Sequence, residues 1–198
     1  MPRSSMAALI TRVRTMVYDP AGAAQTFTDD QVQNALDTSR TEQRFRLLQM
    51  VPSFQPGGAV QYLDYYADVG NWEDDYLLQD ASYATITGTA DVVEPIPGHW
   101  HFPTQPNGFA VHITGKTYDL FAAAADLCDA WAGITKLDFM MVTDRDRFER
   151  QQKFQMLTDL AQTYRAQAQV RVTRMQHSEI SPAYDGGGVV YPSWSGVD

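Results

Sequence analysis

YDLFAAAADLCDAWA, Tyr118 to Ala132, and FERQQKFQMLTDLAQTYRAQA, Phe148 to Ala168, decide the fold. The first carries a wide apolar face of small residues: Tyr118, Phe121, Ala125, Cys128 and Ala132, with Leu120, Ala124, Leu127 and Trp131 beside it. The second carries the stripe Phe154, Leu157, Ala161, Tyr164 and Ala168. Spacings of three and four put such residues on one side of a helix. Neither helix is stable alone in water, so the two faces are expected to bury each other. The second helix opens near TDRDRF, where Thr143 and Asp146 form a candidate capping box, and runs to about Ala168 or Val172. Between the two, Ile134 to Val142 reads as an extended loop or a brief strand.

Towards the N-terminus the grammar is also helical. Ser4 or Ser5 can cap a first helix with the stripe Met6, Leu9, Ile10, Val13, Met16 and Val17. Asp19-Pro20 and Gly22 end it. Thr28, with Gln31 three residues on, predicts a capping box for a second helix, and Asp29 and Asp30 favour its positive end. Phe27 is placed to staple against Val32. Val32, Ala35, Leu36 and Ser39 should face inward. The helix is expected to continue through Phe45 and Leu48 until Pro52.

From PSFQPGG onward the period changes. Short strands are predicted at Val60–Tyr66, Tyr76–Leu78, Tyr83–Thr87, Trp100–Phe102 and Phe109–Thr114. In the last, Phe109, Val111 and Ile113 alternate with Ala110, His112 and Thr114, the pattern of a sheet with one buried face. Thr114-Gly115 should close this module. The expected fold class is α+β: mainly an α-helical bundle over residues 1–175, with a small inserted antiparallel β module at about 59–115. Residues 176–198 form an extended C-terminal segment containing Pro182, Gly186-Gly187-Gly188, Pro192 and Gly196. Such a segment builds no core of its own. It is either a disordered end or an arm that orders on a partner. Tyr184, Val189, Tyr191 and Trp194 favour the arm and are its candidate anchors.

The formal net charge of -9 is unevenly spread. No Lys or Arg occurs from Leu47 to Gly115, a stretch that holds Asp64, Asp68, Glu73, Asp74, Asp75, Asp80, Asp91 and Glu94. This argues against a general nucleic-acid binder, which needs clustered cations. The stretch reads either as a solvated acidic module or as a surface that must not adhere to a passing polyanion. The single cysteine, Cys128, permits no intrachain disulfide and reads as a small core residue. No run is long enough to span a membrane, and the N-terminus lacks a signal peptide's pattern. A soluble protein made in a reducing compartment is expected.

Candidate chemistry is sparse. His99 and His101 flank Trp100 and would share one side of a strand. With His112 or a carboxylate they could hold zinc, but nothing fixes the remaining ligands. Asp144 with Asp146 and Asp74 with Asp75 are sequence neighbours, which does not set two carboxylates across a cleft. Asp185-Gly186-Gly187-Gly188 lacks the Lys-Ser or Lys-Thr of a phosphate loop, and no serine has a nucleophile-elbow context. The reading is therefore a protein that is not an enzyme, with no catalytic residue, cofactor or metal.

Four places resemble the head–tail connector, or adaptor, proteins of long-tailed bacteriophages. They are the opening helix followed by Asp19-Pro20 and Phe27-Thr28-Asp29-Asp30; the acidic turn DVGNWEDDYLLQD, Asp68 to Asp80; ITGKTYDLFAAAADLCDAWA, Ile113 to Ala132; and Phe148 to Ala168. The family commonly has Arg-Ser-Gln-Lys at the start of its last helix, where this chain has Arg150-Gln151-Gln152-Lys153. The resemblance covers most of residues 6 to 170. It implies a helical core with inserted β elements and a virion protein, made in the host cytoplasm, that forms a ring, commonly of twelve subunits. Such a ring sits under the portal, completes the DNA-filled head and receives a tail-side connector or tail-completion protein. By the same resemblance the C-terminal segment reaches onto the portal. Double-stranded DNA passes without sequence-specific binding, and Asp64, Asp68, Glu73, Asp74 and Asp75 are the candidates to face the lumen. The alternatives are a tail-completion or tail-terminator ring protein, richer in sheet; a monomeric protein-binding adaptor; and a metal-dependent enzyme using His99, His101 and His112.

Overall fold

Thr28 caps α2 (Asp29–Thr38): its side chain accepts from the Gln31 N–H, and the Gln31 side chain accepts from the Thr28 N–H in return. α2 packs on α1 (Ala7–Val17), and both pack on α3 (Leu120–Asp138), which lies along α4 (Arg147–Gln167). The computed structural model describes residues 1–54, 60–86, 90–104, 110–138 and 147–169. The core of the helices is Leu9, Ile10, Val13 and Val17 from α1, Val32 and Leu36 from α2, Ala123, Ala124, Leu127 and Cys128 from α3, and Ala161 from α4. The predicted stripes of α1 and α2 face this core and Phe27 joins it; of the α4 stripe, Ala161 and Tyr164 reach it, together with Leu160, while Leu157 is buried outside it. Phe121 differs: it is 38% exposed at the edge of the α3–α4 contact, with its ring 6.1 Å from that of Tyr164. The small residues of α3 let α4 approach closely, and they leave little room for a large ring between the helices.

Between α2 and α3 the described residues build seven strands: β1 (Arg40–Leu47), β2 (Gln49–Phe54), β3 (Val60–Tyr66), β4 (Leu77–Gln79), β5 (Val92–Glu94), β6 (His99–His101) and β7 (His112–Tyr118). They form two antiparallel sheets with orders β1-β7-β4 and β2-β3-β6-β5. Leu48, whose N–H donates to the Val111 carbonyl at 2.8 Å, is the buried residue where the chain passes from one sheet to the other. A second core lies with the sheets: Leu48, Tyr65, Trp72, Trp100, Phe102, Val111 and Ile113. Its rings meet edge to face, Trp72 with Trp100 at 6.3 Å and Tyr65 with Phe102 at 5.5 Å. β7 serves both cores, since Ile113 lies in the sheet core and Tyr118 in the helical one. The fold class is α+β, and the helices hold more residues than the strands among the described residues.

Several expectations change. α2 stops at Thr38, and Arg40–Leu47 is an edge strand rather than more helix. The strand pairs with β7 from Arg40↔Tyr118 to Leu47↔His112, with a bulge between Gln43 and Arg46. There Phe45 takes a left-handed φ of 49°, its N–H donating to Thr114 Oγ1 at 3.1 Å. Pro52 to Phe54 lie in β2, while residues 55–58 of the predicted turn lie outside the described residues. β7 runs through Gly115 to Tyr118 instead of closing there. A Cβ at Gly115 would stand 2.9 Å from Tyr76 Cβ, so a glycine lets this strand pass under Tyr76. α3 starts one residue after Asp119, whose carboxylate accepts the N–H groups of Phe121 and Ala122 at 3.0 and 3.1 Å. It extends to Asp138, so Ile134 to Asp138 are helical; Phe139 to Val142 and the candidate cap at Thr143 and Asp146 lie outside the described residues. Of the predicted strand at Tyr83–Thr87, Thr87 lies outside the described residues, and residues 83–86 form mainly a turn with one bridge between Gln79 and Thr85. In it the Asp80 carboxylate accepts the N–H groups of Ser82 and Ala84. Neither Ser4 nor Ser5 caps α1; a 3-10 turn at Ser4–Met6 leads into it, and the Ser5 hydroxyl is used elsewhere. Phe109 and residues 170–198 lie outside the described residues.

Candidate functional surfaces

The acidic stretch is anchored by one buried carboxylate. Glu73 has no exposed surface. It accepts from Tyr118 Oη at 2.6 Å, Ser5 Oγ at 2.7 Å, Arg3 Nε at 2.8 Å and Lys116 Nζ at 3.4 Å. Arg3 also binds Asp37 of α2. One side chain thus ties the N-terminal turn, α2 and β7 to the loop before β4. Burial alone would raise the Glu73 pKa. The hydrogen bonds from Tyr118 and Ser5 and the charges of Arg3 and Lys116 outweigh it and hold the carboxyl below its ordinary value. Burial first, and then Glu73, push the Tyr118 phenol up. A carboxylate enclosed in this way is an internal tie and presents nothing to an outside partner.

The other acidic candidates are on or near the surface. Asp68 pairs with Arg46, and Asp75 with Lys116 at 2.6 Å. Arg46 and Lys116 are the cations immediately flanking the cation-free stretch, and both turn back onto it. Asp74 is exposed, its N–H donating to the Ser5 carbonyl at 3.1 Å.

Asp64 on β3 sits between two imidazoles of β6. Its Oδ1 is 2.9 Å from His101 Nδ1 and 3.1 Å from His99 Nε2. His99 Nδ1 is 3.4 Å from Glu94 of β5, and the ring stacks on Tyr66 at 4.5 Å. His101, followed by His99, holds the Asp64 carboxyl below its ordinary range. His99 and His101 do share one strand face, as their spacing predicts. His112 does not join them: it lies on β7 in the other sheet, 5.5 Å from the Tyr83 ring. Among the described residues no group of three or more His, Cys, Asp or Glu is placed to hold a metal ion. Cys128 is fully buried, and burial pushes its thiol up to about 11, which suits a packing residue.

Two apolar surfaces were not foreseen in the sequence. On the β2–β3 hairpin, Met50, Val51, Phe54 and Val60 are exposed, Phe54 by 76%. Phe54 and Val60 are opposite each other across the strands. The second surface is an apolar groove of about 750 Å³ between the end of α1, α3 and α4, lined by Val17, Tyr18, Trp131, Met156, Leu157 and Leu160. Tyr18 ends α1 in the left-handed conformation and is 79% exposed; Lys153 Nζ stands 4.7 Å over the Trp131 ring. The sequence carries little signal for the first surface, because the expected second helix runs to Pro52 and so covers the start of β2. The arm anchors Tyr184, Val189, Tyr191 and Trp194 lie outside the described residues.

Among the described residues no helix is long and apolar enough to cross a membrane. The described residues form an α+β fold. No protein-family model matches the chain, and no curated protein or solved structure matches it.

Proposed function

We propose that this protein is a structural head–tail connector subunit that forms a ring beneath a phage portal. It completes the DNA-filled head and gives the tail its docking surface, without catalysis. The observation that carries the reading is the segregation of charge. Between Leu47 and Gly115 there are eight acidic residues, of which Glu73 is buried, and no Lys or Arg, and the nearest cations, Arg46 and Lys116, are occupied by Asp68 and Asp75. A surface of this kind repels a polyanion sliding past it and offers it few phosphate contacts. Asp64, Asp68, Asp74 and Asp75 are the residues assigned to the lumen; buried Glu73 holds the loop that carries two of them. The order of motifs from Met6 to Val170, which resembles the connector family, supports the same reading. So do the two apolar surfaces seen among the described residues, since a ring needs two different contact faces on each subunit. Tyr184, Val189, Tyr191 and Trp194 are assigned to the portal contact.

Seven strands in two sheets favour one second reading, a tail-completion or tail-terminator ring. One experiment separates them. The protein is added to purified DNA-filled heads and, separately, to purified tails, and class averages of both are recorded. A ring under the portal is expected. A ring on tails alone selects the second reading, and no ring on either overturns both.

A further inference from the structure

β6 brings two imidazoles to one side of its sheet, and each ring has a carboxylate facing both of its nitrogens. His99 Nε2 lies 3.1 Å from Asp64 and its Nδ1 3.4 Å from Glu94. His101 Nδ1 lies 2.9 Å from Asp64 and its Nε2 3.9 Å from Asp91. The strands on either side of β6 place these groups. β3 sets Asp64 opposite His101 and Tyr66 opposite His99. β5 sets Glu94 opposite His99, and Asp91 stands just before that strand. Beyond β3, the β2 residues paired with Asp64 and Tyr66 are Val51 and Gln49, which carry no charge. Trp100, between the two histidines, belongs to the sheet core on the other side. Among the described residues no Lys or Arg pairs with Asp64, Asp91 or Glu94, and both imidazoles keep some contact with solvent.

This arrangement depends on protons. An imidazolium donates from both nitrogens, a neutral imidazole from one. Asp64 Oδ1 takes one N–H from each ring. A neutral ring that keeps this bond turns a lone pair toward Glu94 or Asp91, and attraction gives way to repulsion. Protonated rings therefore hold both neighbours of β6, whereas neutral rings hold β3 alone. β5 has little else to keep it. It is an edge strand of three exposed residues, Val92–Glu94, and its partner in the sheet is β6.

We propose that His99 and His101 form a proton-operated clasp: with both rings protonated β5 is fastened to β6, and when the rings turn neutral β5 is released while β3 stays paired. The stabilisation of β5 is present on the acid side of the histidine titration and is lost as pH rises through it. That is opposite in direction to the loss that follows protonation of Asp64 itself. The clasp thus closes within a window of pH, and its release bares the backbone edge of β6. It stands independently of the ring reading.

The test is amide hydrogen exchange of the full chain, read by mass spectrometry in a chelating buffer from about pH 5.5 to about pH 8.5, with rates corrected for the intrinsic effect of pH. The Asp91 N–H donates to the His101 carbonyl at 3.0 Å and the Gly98 N–H to the Glu94 carbonyl at 2.9 Å, so the two bracket the β5–β6 pairing. Protection across residues 91–98 is expected to fall at least about tenfold over this range, and that of β3 and β7 to change less than about twofold. The double variant Asp91→Asn/Glu94→Gln keeps the shapes and removes both charges from the β5 side of the rings. In it the fall should shrink to less than about threefold. Wild-type protection that does not change with pH, or that falls equally in β3 or β7, overturns the proposal before any variant is made. An undiminished fall in the double variant, with near-wild-type circular dichroism, overturns it as well.

Discussion

Tyr164 of α4 donates its hydroxyl to the backbone carbonyl of Met16 at 2.7 Å, across 148 residues of sequence. Met16 lies in the last turn of α1, where helix carbonyls have no partner within the helix. The last helix thus finishes the first. Tyr164→Phe keeps the ring packing on Phe121 and removes this hydrogen bond. It should lower stability by about 1 kcal/mol, read as a shift in the urea midpoint with an unchanged slope.

Glu73→Ala leaves Arg3, Lys116 and Tyr118 without their common partner. Breaking a buried pair by removing one member costs about 3–5 kcal/mol, and a value near the lower end is expected because Arg3 and Lys116 keep Asp37 and Asp75. Chemical denaturation measures it. The pH dependence has a definite sign. The folded-state pKa of Glu73 lies below its ordinary 4.5, so its stabilisation is present above that value and is lost as pH falls through the lower folded value. Stability should therefore drop on acidification below about pH 4.5, and Glu73→Gln should flatten part of that drop.

Asp64 obeys the same rule with histidine partners. Its carboxyl is held below 3.8 by His101 and then His99, so its contribution is also lost as pH falls through the folded value. Asp64→Asn should speed amide exchange in β3 and β6 selectively and leave α3 and α4 unaffected. Hydrogen exchange by mass spectrometry reads this strand by strand.

Gly70 passes against the backbone of Ile96, and a Cβ there would collide with the Ile96 carbonyl oxygen. The obstacle is backbone and has little freedom to move. Gly70→Ala should cost about 1–3 kcal/mol, with the loss visible as a lower Tm.

Every described element ends by Gln167, and the chain leaves with the Gln169 N–H donating to Asp119 at 2.7 Å. Removing Pro182 to Asp198 should leave the circular dichroism and Tm unchanged while weakening capture by the portal. If the arm is the portal contact, Trp194→Ala alone should cost about 2 kcal/mol or more of that affinity in a binding titration. Undiminished binding by both variants removes the arm from the interface.

Local grammar was legible where the chain speaks to its near neighbours. Thr28 with Gln31, the stripe from Met6 to Val17, and the spacing from Phe154 to Tyr164 each state a helix within one or two turns. Val60–Tyr66 was legible as a strand by its β-branched and aromatic content. Arg40–Leu47 was not. RTEQRFRL is made of residues that suit a helix and has no alternation, because an edge strand buries little on either side. Only pairing with β7, about 70 residues away, makes it extended. Glu73 was misread for a related reason. It sits among Asp74, Asp75 and Asp80, so it reads as one more solvated acid, and its partners Arg3, Ser5 and Tyr118 are distant in sequence. Nothing nearby separates a buried carboxylate from an exposed one.

The tie between Met16 and Tyr164 also bears on synthesis. At roughly 5–20 residues per second, a ribosome needs roughly 7–30 s to travel from one to the other. For most of that interval α1 is complete while α4 is not. The newborn chain must therefore shelter Leu9, Ile10 and Val13 by other means, with α2 as the first available cover and a chaperone as the second.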